Sequence, residues 1–207
     1  KHLMIDILAV FITFFAVIDP IGTVPVFIAV TDQYDQKTKR RIALLSTIVS
    51  MCVLLFFVVM GEFVLKALSI PLPAFQISGG IILFLFALNM IFGDSKPEEE
   101  IRLLDQSHKD TAVFPLAVPS IASPGAMLAA VLLTKNSVYS IWEQIQTAAV
   151  MLSVLVITYL LMLLAGSINK IIGSSGASVI SRVMGLILAS VATTNILVGF
   201  GEYYSVQ

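Results

Sequence analysis

The chain has 207 residues, 58% hydrophobic and 12% charged, with a net charge of −1 and a mean hydropathy of +0.99. Soluble domains carry about a quarter charged residues, so this is the composition of an integral membrane protein, with the lipid bilayer as its solvent. No basic stripe is available to neutralise phosphates, which excludes nucleic acid as a partner.

The first apolar run, Leu3 to Thr31, contains Asp19-Pro20-Ile21-Gly22-Thr23-Val24-Pro25. Two prolines remove backbone donors and a glycine relaxes the chain between them, so a helix breaks there, about halfway along a span. Hydrocarbon cannot satisfy the freed N–H and carbonyl groups, and such backbone is stable only where protein or a watery cavity surrounds it. A basic flank, Lys1-His2, precedes the run, but its length and the lack of a small-residue cleavage pattern point to an uncleaved span rather than a signal peptide. Further runs of roughly 20 apolar residues extend from Ile42 to Leu68, Leu72 to Phe92, Ala112 to Thr134, Ile141 to Ile168 and Ala177 to Phe200. The turn Ser69-Ile70-Pro71-Leu72-Pro73 is short enough to predict an antiparallel pairing of spans two and three. Cys52, the single cysteine, lies in an apolar run and reads as a small core hydrophobe.

The expected fold is therefore an all-α membrane protein of six transmembrane helices. Residues 1–92 hold three spans, the polar stretch 93–111 is a solvated linker, and residues 112–207 hold three more. The fourth run is broken as the first is, at Pro119-Ser120-Ile121-Ala122-Ser123-Pro124-Gly125. Each half has an odd number of crossings, so the two are expected as inverted three-helix repeats with broken first and fourth helices. Paired interruptions of this kind point to a secondary transporter site. Lys37, Lys39, Arg40, Arg41, Lys96, Arg102, Lys109, Lys170 and Arg182 fall on one side, and only Lys1, Lys66 and Lys135 on the other. The positive-inside rule makes the crowded side cytoplasmic and puts both termini outside, with Tyr139, Trp142, Tyr203 and Tyr204 near the outer interface.

The candidate substrate-binding residues are Asp19, Pro20, Gly22, Thr23 and Pro25 in the first break, and Pro119, Ser120, Ser123, Pro124 and Gly125 in the second. An intramembrane carboxylate such as Asp19 usually faces a cavity, a partner or an ion. The alternative is that it caps the half-helix beginning at Pro20, and the two readings are compatible. A half-helix N-terminus suits a carboxylate, while an opposing carbonyl end suits an ammonium, so paired breaks suit a small zwitterionic substrate. H⁺ and Na⁺ are equal rivals as coupling ion, and oligomeric state is open. Hydroxyls within spans more often bond back to carbonyls, and Asn89 and Asn195 read as interhelical glue. Glu62 and Lys66 have the i,i+4 spacing of an ion pair. Ser78, Gly79, Gly80 and Gly185 offer close helix approach. No cluster with metal spacing, no Gly-x-Ser-x-Gly and no P-loop occurs, so neither an enzyme nor an ATP-driven pump is expected, and no cofactor or metal is implied.

The run Phe15-Ala16-Val17-Ile18-Asp19-Pro20-Ile21-Gly22-Thr23-Val24-Pro25-Val26-Phe27 resembles the MarC family of multiple-antibiotic-resistance-related integral membrane proteins. So do Leu72-Pro73-Ala74-Phe75-Gln76-Ile77-Ser78-Gly79-Gly80 and the stretch from Pro115 to Ala126, and the likeness covers nearly the whole chain. The resemblance implies a six-span inner-membrane protein, with some relatives assigned as transporters of glycine, alanine and threonine. Relatives often carry Asn where this chain has Asp19, and Arg where it has Gln76. The function expected is alternating-access transport of small neutral amino acids. A channel, a non-transporting membrane interaction protein, or efflux of other small metabolites or drugs is the alternative.

Overall fold

The computed structural model describes residues 6–32, 34–92, 116–136 and 138–205, and the linker from 93 to 111 lies outside them. Among the described residues the chain is helical, without strands. Asp6 starts α1 (Ile7–Ile18) by accepting hydrogen bonds from the Leu8 and Ala9 N–H groups, both at 3.1 Å. α2 (Pro20–Thr31) follows directly beyond Asp19. Asp35 caps α3 (Gln36–Ala67), whose 32 residues give a rod of about 48 Å, well beyond the roughly 30 Å of a bilayer core. α4 is Leu72–Phe92, α5 Pro124–Leu132, α6 Ile141–Leu163 and α7 Ala165–Ser205. α6 opens on a capping box between Ser140 and Glu143. α7 is interrupted at Gly173, whose φ of 67° a side chain rarely adopts.

Five stretches are long and apolar enough to cross a membrane: Ile7–Thr31, Gln36–Ala67, Leu72–Phe92, Ile141–Leu163 and Ser178–Tyr204. The fourth expected span is the exception. Residues 112–115 lie outside the described set, and the described part comprises one wide turn, Leu116–Ile121, and the 9-residue α5. At about 14 Å, α5 is too short to cross alone.

The broken first span sits at the centre of the bundle: 56% of it is buried, against 22% to 33% for the other four. Their outward faces carry Phe56, Val59 and Phe63 on α3, Ile145 and Leu160 on α6, and Leu186 and Leu197 on α7, all exposed as lipid-facing residues should be. Cys52 is exposed on α3, not a core residue. The most extensive helix pair is α4 with α7. Glycines set its spacing: Gly199 lies against Pro73 and Ile77, Gly80 against Ala192 and Ile196, and Gly185 against Ala87 and Met90. That order runs backwards along one helix, so the two are antiparallel. α5 is wedged between α3 and α4, with Val131 on Gly61 and Leu128 on Gly79. α3 and α4, expected to pair, share almost no contact. Ser69 takes a left-handed conformation, φ 55°, and the helices part to find better-matched partners in α6 and α7.

Candidate functional site

Pro20 has no N–H, so the Ala16 carbonyl loses its helical partner and α1 ends. The Asp19 N–H closes the last turn on the Phe15 carbonyl at 3.0 Å, and Asp19 itself turns left-handed, φ 50° and ψ 67°. Asp and Asn tolerate this conformation better than other side chains with a Cβ. The same residue starts α2. Its Oδ1 accepts the Gly22 N–H at 3.0 Å, Pro20 occupies the first helical position, and the Asp19 carbonyl receives the Thr23 N–H at 3.0 Å. Asp19 thus caps the start of α2, the reading weighed from the sequence, and also ends α1. Its other oxygen, Oδ2, accepts the Ser181 hydroxyl of α7 at 2.8 Å. Gly22 is required by this arrangement, since a Cβ there would stand 2.1 Å from Asp19 Oδ2 and 2.6 Å from Ser181 Oγ.

The second break also starts its half-helix with a capping side chain followed by proline, but through a wide turn. Val118 is extended within the wide turn Leu116–Ile121, and the Ala122 N–H reaches back to the Ala117 carbonyl at 2.8 Å. Ser50 of α3 also donates to that carbonyl, at 3.1 Å. Ser123 caps α5, accepting the Ala126 N–H at 3.2 Å, with Pro124 at the first helical position. The Ser123 hydroxyl then donates to the Val17 carbonyl at the end of α1, 2.8 Å away. One side chain therefore joins the amide end of α5 to the carbonyl end of α1. Gly125 faces Leu83 and Val17, where a Cβ would stand 2.7 Å from Leu83 Cδ1.

The breaks are in contact, and the candidate residues divide by what they do there. Ser123 and Gly125 form the contact with the end of α1 at Val17, Asp19 and Gly22 instead meet Ser181 of α7, and Pro20 and Pro124 set the helix starts. Thr23 and Thr31 bond back to the carbonyls of Asp19 and Phe27, so their hydroxyls are engaged locally. Ser120 is fully buried, and Pro119 lies in the wide turn. Pro25 is buried within α2, further along the helix from the caps. Sequence reasoning missed Ser181 and Ser50, because a serine in an apolar helix has no local signal naming its partner.

Beyond Gly125, toward the end of the bundle where α4 starts, lies a cavity of about 80 Å³. Thr13 of α1, Leu83 of α4, Leu128, Ala129, Leu132 and Leu133 along α5, and Val191 and Asn195 of α7 enclose it. At its far end Asn195 Oδ1 accepts from Gln76 Nε2 at 3.4 Å, and Gln76 Oε1 accepts from the Lys135 ammonium at 2.7 Å. Lys135, counted from the sequence among the outer-side charges, is only 6% exposed. Burial pushes its ammonium below the ordinary lysine value, and Glu202 and Glu62 pull it back up. Glu62 does pair with Lys66, at 2.8 Å, and also accepts the Asn136 N–H at 2.7 Å. These bonds gather the ends of α3 and α7 and the start of α4 around the α5–α6 connection.

No group of His, Cys, Asp and Glu able to hold a metal occurs among the described residues. No solved structure matches the chain. Similarity to other sequences is extensive. A UPF0056 membrane protein of Methanocaldococcus jannaschii is 34% identical over 91% of this chain and 93% of its own length. The UPF0056 membrane protein YvbG of Bacillus subtilis is 32% identical over 97% and 96%. The family profile described as MarC family integral membrane protein matches residues 4–204. The chain belongs to the MarC family of integral membrane proteins.

Proposed function

We propose that this chain is a secondary transporter of small neutral amino acids such as glycine, alanine and threonine, working by alternating access at the two breaks. The observation that carries the reading is the Ser123 bridge. Its oxygen accepts from an α5 amide while its proton goes to an α1 carbonyl. Those are the two ends a zwitterion presents, a carboxylate acceptor and an ammonium donor. The structure is then the closed state, in which the breaks satisfy one another. Substrate would replace the Ser123–Val17 bond, and Asp19, held by neutral donors, is the group where H⁺ or Na⁺ would couple.

The reading includes an inverted repeat, which two likenesses support. Asp19-Pro20 and Ser123-Pro124 are equivalent caps. α2 packs on α6 and α7, and its counterpart α5 packs on α3 and α4. On this reading the chain has six spans in the inner membrane, with both termini on the periplasmic side. Proteoliposomes loaded with unlabelled alanine should take up labelled alanine by counterflow, with glycine and threonine competing. Absence of exchange across a panel of neutral amino acids, in vesicles shown to hold folded protein, refutes the proposal.

A further inference from the structure

The Lys135 ammonium is held by a neutral partner, an arrangement that suits an anion. It is buried, its hydrogen-bond partner among the described residues is a neutral amide oxygen, Gln76 Oε1, and Glu202 and Glu62 act on it only from beyond ion-pair distance. Removing an ammonium from water without a counter-charge is unfavourable. A charge-assisted bond to a carboxylate is roughly twice as strong as one between neutral groups, so an entering carboxylate would displace Gln76. Space for the rest of such a molecule is adjacent. The cavity of about 80 Å³ begins at Asn195, the other partner of Gln76, and its remaining walls are apolar except for Thr13. At about 30 Å³ per water in the liquid, that is room for a few heavy atoms.

We propose that Lys135, Gln76 and Asn195 form a carboxylate-binding site at the mouth of this cavity. Lys135 takes the carboxylate, Gln76 turns its amide to the second oxygen, and the cavity receives a short aliphatic remainder. The ligand class is a small monocarboxylate or the carboxylate end of a small amino acid. The α5 wall leads from this site to Gly125 at the second break, so it is the waiting position on the transport path. That placement rests on the transport reading; the binding site does not.

The test uses the full chain in lipid nanodiscs, with propionate and propionamide as probes that differ in charge but hardly in shape. Wild type should bind propionate and not propionamide. Lys135→Met should weaken propionate at least about tenfold, the loss of one hydrogen bond to a charged group, and Lys135→Arg should restore part of it. Comparing the two probes on wild type alone needs no variant to fold. Equal binding of both, no binding of propionate by wild type, or unchanged affinity in a folded Lys135→Met each overturns the site. Alanine counterflow is read separately. Propionate binding through Lys135 without counterflow in any form sinks the transporter reading and keeps the site. Counterflow in Lys135→Met with an unchanged KM, and no propionate binding, does the reverse.

Discussion

Replacing Asp19 separates three contributions that the structure places on one residue. Asp19→Ala removes the cap on Gly22, worth about 1 kcal/mol. It forces an alanine into the left-handed region, at about 1–2 kcal/mol, and leaves the buried Ser181 hydroxyl without its acceptor, at about 1–3 kcal/mol. The sum is about 3–6 kcal/mol of lost stability. Asp19→Gly relieves only the backbone term and should recover about 1–2 kcal/mol of it. Asp19→Asn should lie within about 1 kcal/mol of wild type. Its Oδ1 still accepts from Gly22, Asn tolerates the left-handed turn, and the Ser181 hydroxyl can rotate to accept from the new amide. Unfolding in mixed micelles, by heat or by SDS titration, gives the order Asp, Asn, Gly, Ala from most to least stable. An Asn variant as unstable as Ala, or an Ala variant as stable as wild type, refutes the capping argument. The same proteins test the ion site. Asn keeps the cap but not the charge, so loss of counterflow in a stable Asp19→Asn supports coupling at Asp19, and normal counterflow leaves Asp19 as a cap alone.

Gly80→Ala should destabilise by about 1–3 kcal/mol, because the added Cβ would stand 2.7 Å from Ile196 Cγ1 and 3.1 Å from the Ala192 carbonyl. Gly201→Ala, with nothing within 4 Å, should be neutral or stabilising by up to about 1 kcal/mol in the same assay. Thr147 has a fully buried hydroxyl without a hydrogen-bond partner among the described residues, so Thr147→Val should be neutral or stabilising by about 1 kcal/mol. A large loss of stability there would reveal a hidden partner. Propionate affinity should fall as pH rises through the lowered Lys135 pKa, below the ordinary 10.5, because binding needs the protonated form. Titration calorimetry across alkaline pH checks this, and a flat profile counts against Lys135 as the anchor. Ser205→Cys in intact cells should react with an impermeant maleimide and Lys37→Cys should not; the opposite pattern reverses the orientation.

The sequence by itself determined the class of protein, its family and the two interruptions. Composition separates membrane from water-soluble chains, and Pro20, Pro25 and Pro124 forbid hydrogen bonds in any environment. It also determined that Glu62 and Lys66 pair, since i,i+4 contacts need only a helix. Asp19 as a cap was legible for the same local reason. The tertiary structure decided what no local rule encodes. It put Ser123 on the carbonyl of Val17 and Ser181 on Asp19, over sequence separations of 106 and 162 residues. It parted α3 from α4 although their connection is short, because helix faces choose partners by fit. Lys135 shows the difference most plainly: in the sequence it is a lysine at the end of an apolar run, the usual place for a solvated flank. Only the convergence of α4, α5 and α7 buries it against Gln76, and that burial makes its charge a candidate binding group.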